Sequence, residues 1–391
     1  MRCYNVHSHG RSGLKSTMTE LSLKLLSDLV SFKTITPVGE DAIDYCSSFL
    51  KKLGFVCKKL KFERVCNLYA KFGQFSENLC FAGHVDVVPP IGDWDTNPFT
   101  LIQKNGKLYG RGTNDMKGPL AACLSAIYDF ISNNSPHISI SVLLTSDEEI
   151  MGSNGTKSVV EYLKSTDEKI DCCVLCESCS PGLAGEYIKI GCRGSLNVNL
   201  TSNGIQCHVV NGREIGNHLH NFVKILTTLT RESLDSKISA VFPQSTIELT
   251  SIDVDNNVRN VIPPLATAKL NIRFNDNWDF EGLERYLLSI LPDNIKASFE
   301  RFSLPFIGAS QKFISFLAEC ISEAIKVTST IGTLGGASDA IFLKEITDVV
   351  EIGSSVIGAH ISNEYITNDD ITKLEKIYLK IMKNFNNNFT K

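Results

Sequence analysis

The chain has 391 residues, 43% of them apolar and 21% charged, with a net charge of −4. That size and balance suit a globular protein of two or three domains with a sizeable core. They exclude a generally basic surface for nucleic acid or anionic membrane. No apolar run reaches the ~18–20 residues of a membrane span.

Residues 1–17, MRCYNVHSHGRSGLKST, lack the apolar stretch of a secretory signal and read as a flexible extension. His7 and His9 in this arm read as solvated, and Met18 opens the first helical pattern and is an alternative start. Thirteen cysteines without an export signal read as reduced thiols in a cytoplasm. Most of them, such as Cys46, Cys80, Cys123 and Cys320, keep apolar company, where Cys serves as a small hydrophobe.

Apolar residues at helical spacing predict helices over 18–32 and 40–53. Short strands follow at 67–72 (NLYAKF) and 79–83 (LCFAG). A helix over about 116–132 leads to strand 138–146, and a helix over 155–164 leads to strand 171–177. Strands alternating with helices imply an α/β layer around a largely parallel mixed sheet. After Gly191 the rhythm changes: strand 194–202, helix 214–231, strands 244–252 and 265–275, helix 279–291, strand 295–301. That β-α-β-β-α-β order is ferredoxin-like. The α/β pattern then resumes with helices 310–326 and 337–344, strand 348–352 and a final helix 368–386. The Asn-rich tail NFNNNF reads as a frayed end. The architecture expected is a catalytic domain in two parts, 18–192 and 305–391, interrupted by an inserted domain over 193–304.

Ligands on open α/β sheets bind beyond the carboxyl ends of the strands. The polar residues found there are His84 and Asp86 in GHVDVVP, Asp115 in GRGTNDMKG, Glu148 and Glu149 in TSDEE, Glu177 in CCVLCESC, and His360 in GAHISNE. Imidazole mixed with carboxylates suits Zn²⁺, and one carboxylate can bridge two ions. Asp86, two residues from His84, is placed to accept the far ring N–H and fix the tautomer. Of the neighbours Glu148 and Glu149, one can coordinate while the other handles the proton of an attacking water. Taken singly, a His or Asp at a strand end is usually a satisfied turn group; the argument lies in the convergence of these groups on one edge. CCVLCESC leaves two readings open, a thiolate-bound metal or a strand that delivers Glu177. Strand alternation puts Cys172, Val174 and Cys176 on one face and Cys173 and Leu175 on the other.

Together GHVDVVP, RGTNDMKG, TSDEE and the Glu after the next strand resemble the dinuclear zinc amidohydrolases that include aminoacylase and the glutamate-releasing carboxypeptidases. The resemblance runs from Met18 over nearly the whole chain. It is greatest to members that release succinate from N-succinyl-LL-2,6-diaminopimelate on the way to lysine and peptidoglycan precursors. It implies a zinc exopeptidase-like fold whose inserted domain is a lid and dimerisation module. It implies two Zn²⁺ per subunit, with Co²⁺ an alternative in the second site. His84, Asp115 and Glu177 would hold one ion, and Asp115, Glu149 and His360 the other. Glu148 matches the general base and Asp86 the supporting carboxylate. His208, in GIQCHVVNGREIGNHLH, matches a histidine that reaches into the site of the partner subunit, so a homodimer is implied. Arg273, Asn260, Arg193 with Ser195 in GCRGS, and Gly335 with Gly336 in GGASD match the pocket for a small anionic N-acyl amino acid.

The sequence departs from this pattern around the pocket. Cys192 stands where these enzymes usually carry a second consecutive Arg, and Cys207 where Gly is usual. Asn211 replaces a Tyr, Ala337 a Thr, Val356 an Asn, and Arg259 an Asn. Hydrolysis of an amide is therefore expected, with the acyl group and the amine as the open variables.

Overall fold

A computed structural model describes residues 18–388 apart from Met151, Ser153 and Glu232, so the expected N-terminal extension lies outside the described residues. Its centre is an eight-stranded sheet. From edge to edge the strands are Val56–Phe62, Val65–Phe72, Ser139–Thr145, Asn78–His84, Cys172–Leu175, Asp348–Glu351, Tyr187–Lys189 and Thr330–Gly332. The four central strands run parallel. Asn78–His84 and Ser139–Thr145 are buried at every position. Burial on both faces is why neither strand carries a Lys, Arg, Asp or Glu, and why even Asn78, Ser139 and Ser141 are buried.

Helices Met18–Ser31, Glu40–Lys52, Lys117–Asn133, Gln311–Ile325 and Asn368–Asn388 share one core with one face of the sheet, through Leu26, Ile43, Phe81, Leu124, Leu317 and Tyr378 among others. Thr156–Ser165 and Ala340–Leu343 cover the opposite face around Val160, Leu163, Cys173 and Leu343. A parallel sheet needs such cover on both sides.

A second sheet is built from Gly194–Asn203, Thr246–Asp253, Leu265–Phe274 and Ile295–Ser303, all antiparallel. The strand that comes first in the chain lies between the third and the fourth, the ferredoxin-like arrangement. Helices His218–Arg231 and Phe280–Ile290 pack on one face through Leu196, Val198, Phe222, Leu226, Ile272 and Leu283. The alternate residues Ser195, Asn197, Asn271 and Arg273 form the other, polar face.

Three local expectations change. The helix expected over 214–231 is two pieces, Gly212–Ile215 and His218–Arg231, because Gly216 between them has φ +88° in the left-handed region. The helix expected over 337–344 shrinks to Ala340–Leu343, since residues 335–339 form a loop at the cleft. The tail is not frayed through Asn388: Phe385 is 1% exposed in the core and Asn384 donates to Glu323. Strand Val56–Phe62 is an addition. It is a sheet edge carrying Lys58, Lys59 and Lys61, residues that discourage pairing with another chain.

The twelve described cysteines are free thiols. Cys172 and Cys176 join the core on one sheet face and Cys173 the core on the other. Among the described residues, no group of potential metal ligands includes a cysteine. The strand thus fills its surroundings with small sulfur side chains and ends by presenting Glu177.

Candidate active site

The carboxyl ends of the parallel strands bring the expected polar residues together. His84 is the last residue of its strand and is registered beside Thr145, two residues before Asp147 and three before Glu148. Glu177 follows strand Cys172–Leu175, and His360 lies in the loop after Asp348–Glu351. Asp115 comes from the Gly-rich turn that leads into helix Lys117–Asn133.

Two donor groups result. Ligand atoms of His84, Asp115 and Glu177 all lie within 4.8 Å of one another, as do those of Asp115, Glu149 and His360. Asp115 belongs to both. Its Oδ1 is 3.2 Å from His84 Nε2 and its Oδ2 is 3.3 Å from His360 Nε2. Glu177 Oε2 is 3.5 Å from His84 Nε2, and His360 Nε2 is 3.1 Å from Glu149 Oε2. Glu148 stands behind the first group, 4.0 Å from His84 Nε2.

The contact expected between Asp86 and His84 takes a different form. His84 Nδ1 lies 3.0 Å from the backbone carbonyl of Asp86, while Asp86 Oδ1 stands 3.5 Å away. The other carboxylate oxygen, Oδ2, accepts from the Glu149 backbone N–H at 3.2 Å. The chain runs on past His84, with the Val85 N–H donating to the Thr145 carbonyl at 2.9 Å, and the Asp86 carboxylate reaches the Glu149 loop. A carbonyl can only accept, so Nδ1 carries a proton, and it is Nε2 that faces Asp115 and Glu177 and would give its lone pair to a cation. That is the tautomer a metal-ligating histidine needs.

The electrostatics identify what the donors fit. Burial, followed by the carboxylate of Asp115, pushes Glu177 well above the usual carboxyl range. Burial does the same to Glu148, with Glu177 adding to it. Burial disfavours a charged His84 ring, but Glu177, Asp115 and Asp86 outweigh it and raise the imidazole well above its ordinary value. Hydrogen bonds to Asp115 and then Glu149 push His360 up to about 10. Buried carboxylates crowding two imidazoles make a pocket of negative potential. Glu177 Oε2 is buried with no hydrogen-bond partner. An unpaired carboxylate oxygen in such a place is costly unless a cation meets it. Oxygen and imidazole donors around a shared carboxylate fit a pair of divalent ions such as Zn²⁺.

The donors open on a cleft of about 390 Å³ whose walls include Glu148, Glu149, Ser178, Lys189, Gly336, Ala337, Ser338, Val356 and His360. Gly335 has φ +96°, which lets the loop turn at its mouth. Lys189 was not singled out in the sequence, although it ends a strand like the ligands do. Its ammonium donates to Glu351 at 2.8 Å and to the Gly336 carbonyl at 2.7 Å, so a buried ion pair pins the glycine loop. Ser338 Oγ donates to the same Glu351 carboxylate at 2.7 Å.

The structure does not bring every expected residue to this cleft. Among the described residues its walls include neither Arg193, Ser195 and Arg273 nor Asn260 and His208. Arg273 Nε donates to Asn271 Oδ1 at 2.9 Å on the polar face of the second sheet. Ser195 is buried opposite it on the neighbouring strand. Arg193 donates to the Gln244 carbonyl at 2.6 Å and is half-buried. Asn260 and His208 lie exposed on a projecting arm, where His208 Nδ1 accepts from the Val210 N–H at 3.2 Å. Of the departing residues, Ala337 and Val356 line the cleft. Cys192 is buried in the second core and pairs with Phe306, and Asn211 and Arg259 are exposed.

A parallel α/β sheet ending in two donor groups that share one carboxylate defines a metal-dependent hydrolase of the two-metal kind. The chain belongs to Peptidase family M20/M25/M40, whose model matches residues 80–384. It is 38% identical over 370 residues to a succinyl-diaminopimelate desuccinylase of Wolbachia pipientis, covering 93% of each chain. The fold is shared with a tripeptidase from Staphylococcus aureus, with a TM-score of 0.77, 17% identity and coverage of 95% of this chain and 99% of the other. It is also shared with a Bacillus subtilis protein described as a dinuclear metal binding peptidase, with a TM-score of 0.67, 11% identity and coverage of 93% and 97%.

Proposed function

We propose that this chain hydrolyses the amide of N-succinyl-LL-2,6-diaminopimelate to succinate and LL-2,6-diaminopimelate, as a zinc-dependent homodimer in the cytoplasm. The observation that carries the chemistry is the Asp115 carboxylate, one oxygen toward each histidine, with Glu148 beside it. The 38% likeness over 93% of a desuccinylase supports this particular amide.

His84, Asp115 and Glu177 would hold one Zn²⁺, and Asp115, Glu149 and His360 the second, where Co²⁺ is an alternative. When bound, the ions would polarise the amide carbonyl and make water a better nucleophile near neutral pH. Glu148 takes the proton of the attacking water on a carboxylate oxygen and delivers it to the leaving amine. Burial raises its proton affinity, which favours the first half of that exchange. His84 is held in the required tautomer by the Asp86 carbonyl, and the Asp86 carboxylate steadies Glu149. His208 from the partner subunit donates to the oxyanion, a role supported by its exposed place on the arm outside its own cleft. Arg273 and Arg193, with Ser195 opposite Arg273, receive the substrate carboxylate when the inserted domain closes, Asn260 reaches it from the arm, and the Gly335–Gly336 loop contributes backbone N–H groups.

The test is succinate release by the purified zinc-loaded protein. Glu148→Ala should lower turnover by about 10²–10⁴-fold, the range for loss of a general acid–base group, with metal content unchanged. One observation favours a second reading. Ala337 and Val356 put aliphatic side chains on the cleft wall, which suits another N-acyl amino acid deacylase or a carboxypeptidase. A panel of N-succinyl, N-acetyl and dipeptide substrates separates them: cleavage of the acetylated compound with the succinylated one untouched would overturn the desuccinylase assignment.

A further inference from the structure

Glu364 lies four residues after His360 and is 0% exposed. Its carboxylate is enclosed by the turn that carries Asp115. Oε1 accepts from the backbone N–H of Asn114 at 2.8 Å and of Asp115 at 3.0 Å. Oε2 accepts from the N–H of Gly112 at 2.9 Å and from Arg111 Nη1 at 2.7 Å. Even its backbone carbonyl accepts from Gly110 N–H at 3.0 Å. The turn 110–115 is therefore wrapped around a side chain from a segment some 250 residues away.

The wrapping requires its sequence. Gly112 has φ +82°, and a Cβ there would meet Val87 Cγ1 at 2.6 Å. Successive backbone N–H groups converging on one anion form a nest, and here the anion is part of the chain itself. Arg111 is buried as well and lies over the Trp94 ring, 5.1 Å from its centroid, so the pair is enclosed on all sides. The same two segments are joined again where Asn114 Nδ2 donates to the Ser355 carbonyl at 2.6 Å and Ser354 Oγ donates to the Asn114 carbonyl at 2.9 Å.

The geometry points to Glu364 as a positioning residue that fixes the separation of Asp115 and His360, and so sets the donor spacing of the second metal group. It belongs to neither donor group itself. It acts on Asp115 through that residue's own N–H and on His360 through a four-residue tether. This rests on the two-metal reading above. Without Glu364, three N–H groups converging on one buried point would lose their acceptor, and the turn would rearrange to find water or new partners.

The experiment is a competition titration of Zn²⁺ into metal-stripped protein, with Co²⁺ absorption as a second readout of donor geometry. The proteins compared are wild type, Glu364→Gln, Glu364→Asp and Glu375→Gln. The last removes a carboxylate that is equally buried but bonded to Thr19 and Ser22, far from the site in the chain's contacts. Glu364→Gln should weaken one Zn²⁺ by about 10–100-fold, the usual cost of losing an outer partner of a metal ligand, and should alter the Co²⁺ spectrum. Glu364→Asp, too short to span all three N–H groups, should fall between it and wild type, and carries the test if the Gln variant does not fold. Glu375→Gln should bind both ions as wild type does. Folded Glu364 variants with wild-type affinity and an unchanged spectrum would overturn the assignment, as would an equal loss in Glu375→Gln. A wild type that takes up no Zn²⁺ would instead overturn the two-metal reading on which it stands.

Discussion

Buried carboxylates do three kinds of work in this chain, and their neighbours decide which. Asp115 and Glu177 face imidazoles and each other, an arrangement whose excess negative charge suits cations. Asp147 and Glu364 instead fold loops. A Cβ at Gly152 or Gly155 would fall 1.7 Å from an oxygen of Asp147, so that loop closes only over glycine. Glu375, on the last helix, belongs to the core and accepts from Thr19 and Ser22 on the first. Burial raises its pKa above the ordinary 4.5. A raised folded-state pKa favours the protonated fold, so its contribution is fully present below the unfolded value and is lost as pH rises through the folded one. Glu375→Gln keeps an acceptor without a charge. It should gain stability over wild type as pH rises above the ordinary carboxyl range and show no gain below it. Denaturant midpoints across that range check this, and a gain independent of pH would show that Glu375 does not titrate as described.

Elements were legible where one periodicity ruled. Helices Met18–Ser31, Glu40–Lys52 and Gln311–Ile325 bury regularly spaced apolar residues, and the apolar strand runs of the central sheet lie where continuous hydrophobicity places them. Strand Val56–Phe62 was not legible, because an edge strand laced with lysine buries only Leu60. Gly216 and the 335–339 loop were hidden for the converse reason: their flanks keep helical spacing, while left-handed turns at Gly216 and Gly335 interrupt the path. Helix Phe280–Ile290 shows how a boundary is set locally. Asp279 Oδ1 accepts from the Gly282 N–H at 2.7 Å. Asp279→Ala should destabilise this helix by about 0.5–2 kcal/mol, the cost of losing an N-cap. Hydrogen exchange should rise across 280–290 while metal content stays constant. Unchanged exchange would mean that packing on Leu283 and Leu287 alone defines the helix start.

At the scale of the molecule, the candidate donors sit at the end of one sheet, Arg273 and Ser195 on another, and His208 and Asn260 on a two-stranded arm. His208 and Asn260 are exposed on an arm whose Val209 and Val210 are exposed too. Such an arm is suited to a second copy of the chain, and a two-fold pair would exchange arms reciprocally. Mixing tests this. His208→Ala and Glu148→Ala proteins should each be nearly inactive. Unfolded together and refolded, they should recover roughly a quarter of wild-type activity, since half the dimers would be mixed and each would hold one complete site. No recovery would mean that His208 serves its own subunit or none. The amino-acid sequence alone placed the candidate donors beyond the strand ends, because a residue past a buried parallel strand has only one edge of the sheet to occupy. Alternation put Cys173 on the face opposite Cys172 and Cys176, and the structure buries both sets in the core. Only the tertiary structure decided that Asp115 turns one oxygen to each histidine, that a backbone carbonyl rather than a carboxylate holds the His84 ring, and that Glu364 organises the Asp115 turn. Those depend on contacts between segments as many as 250 residues apart, and local periodicity carries no record of what a side chain meets across the fold.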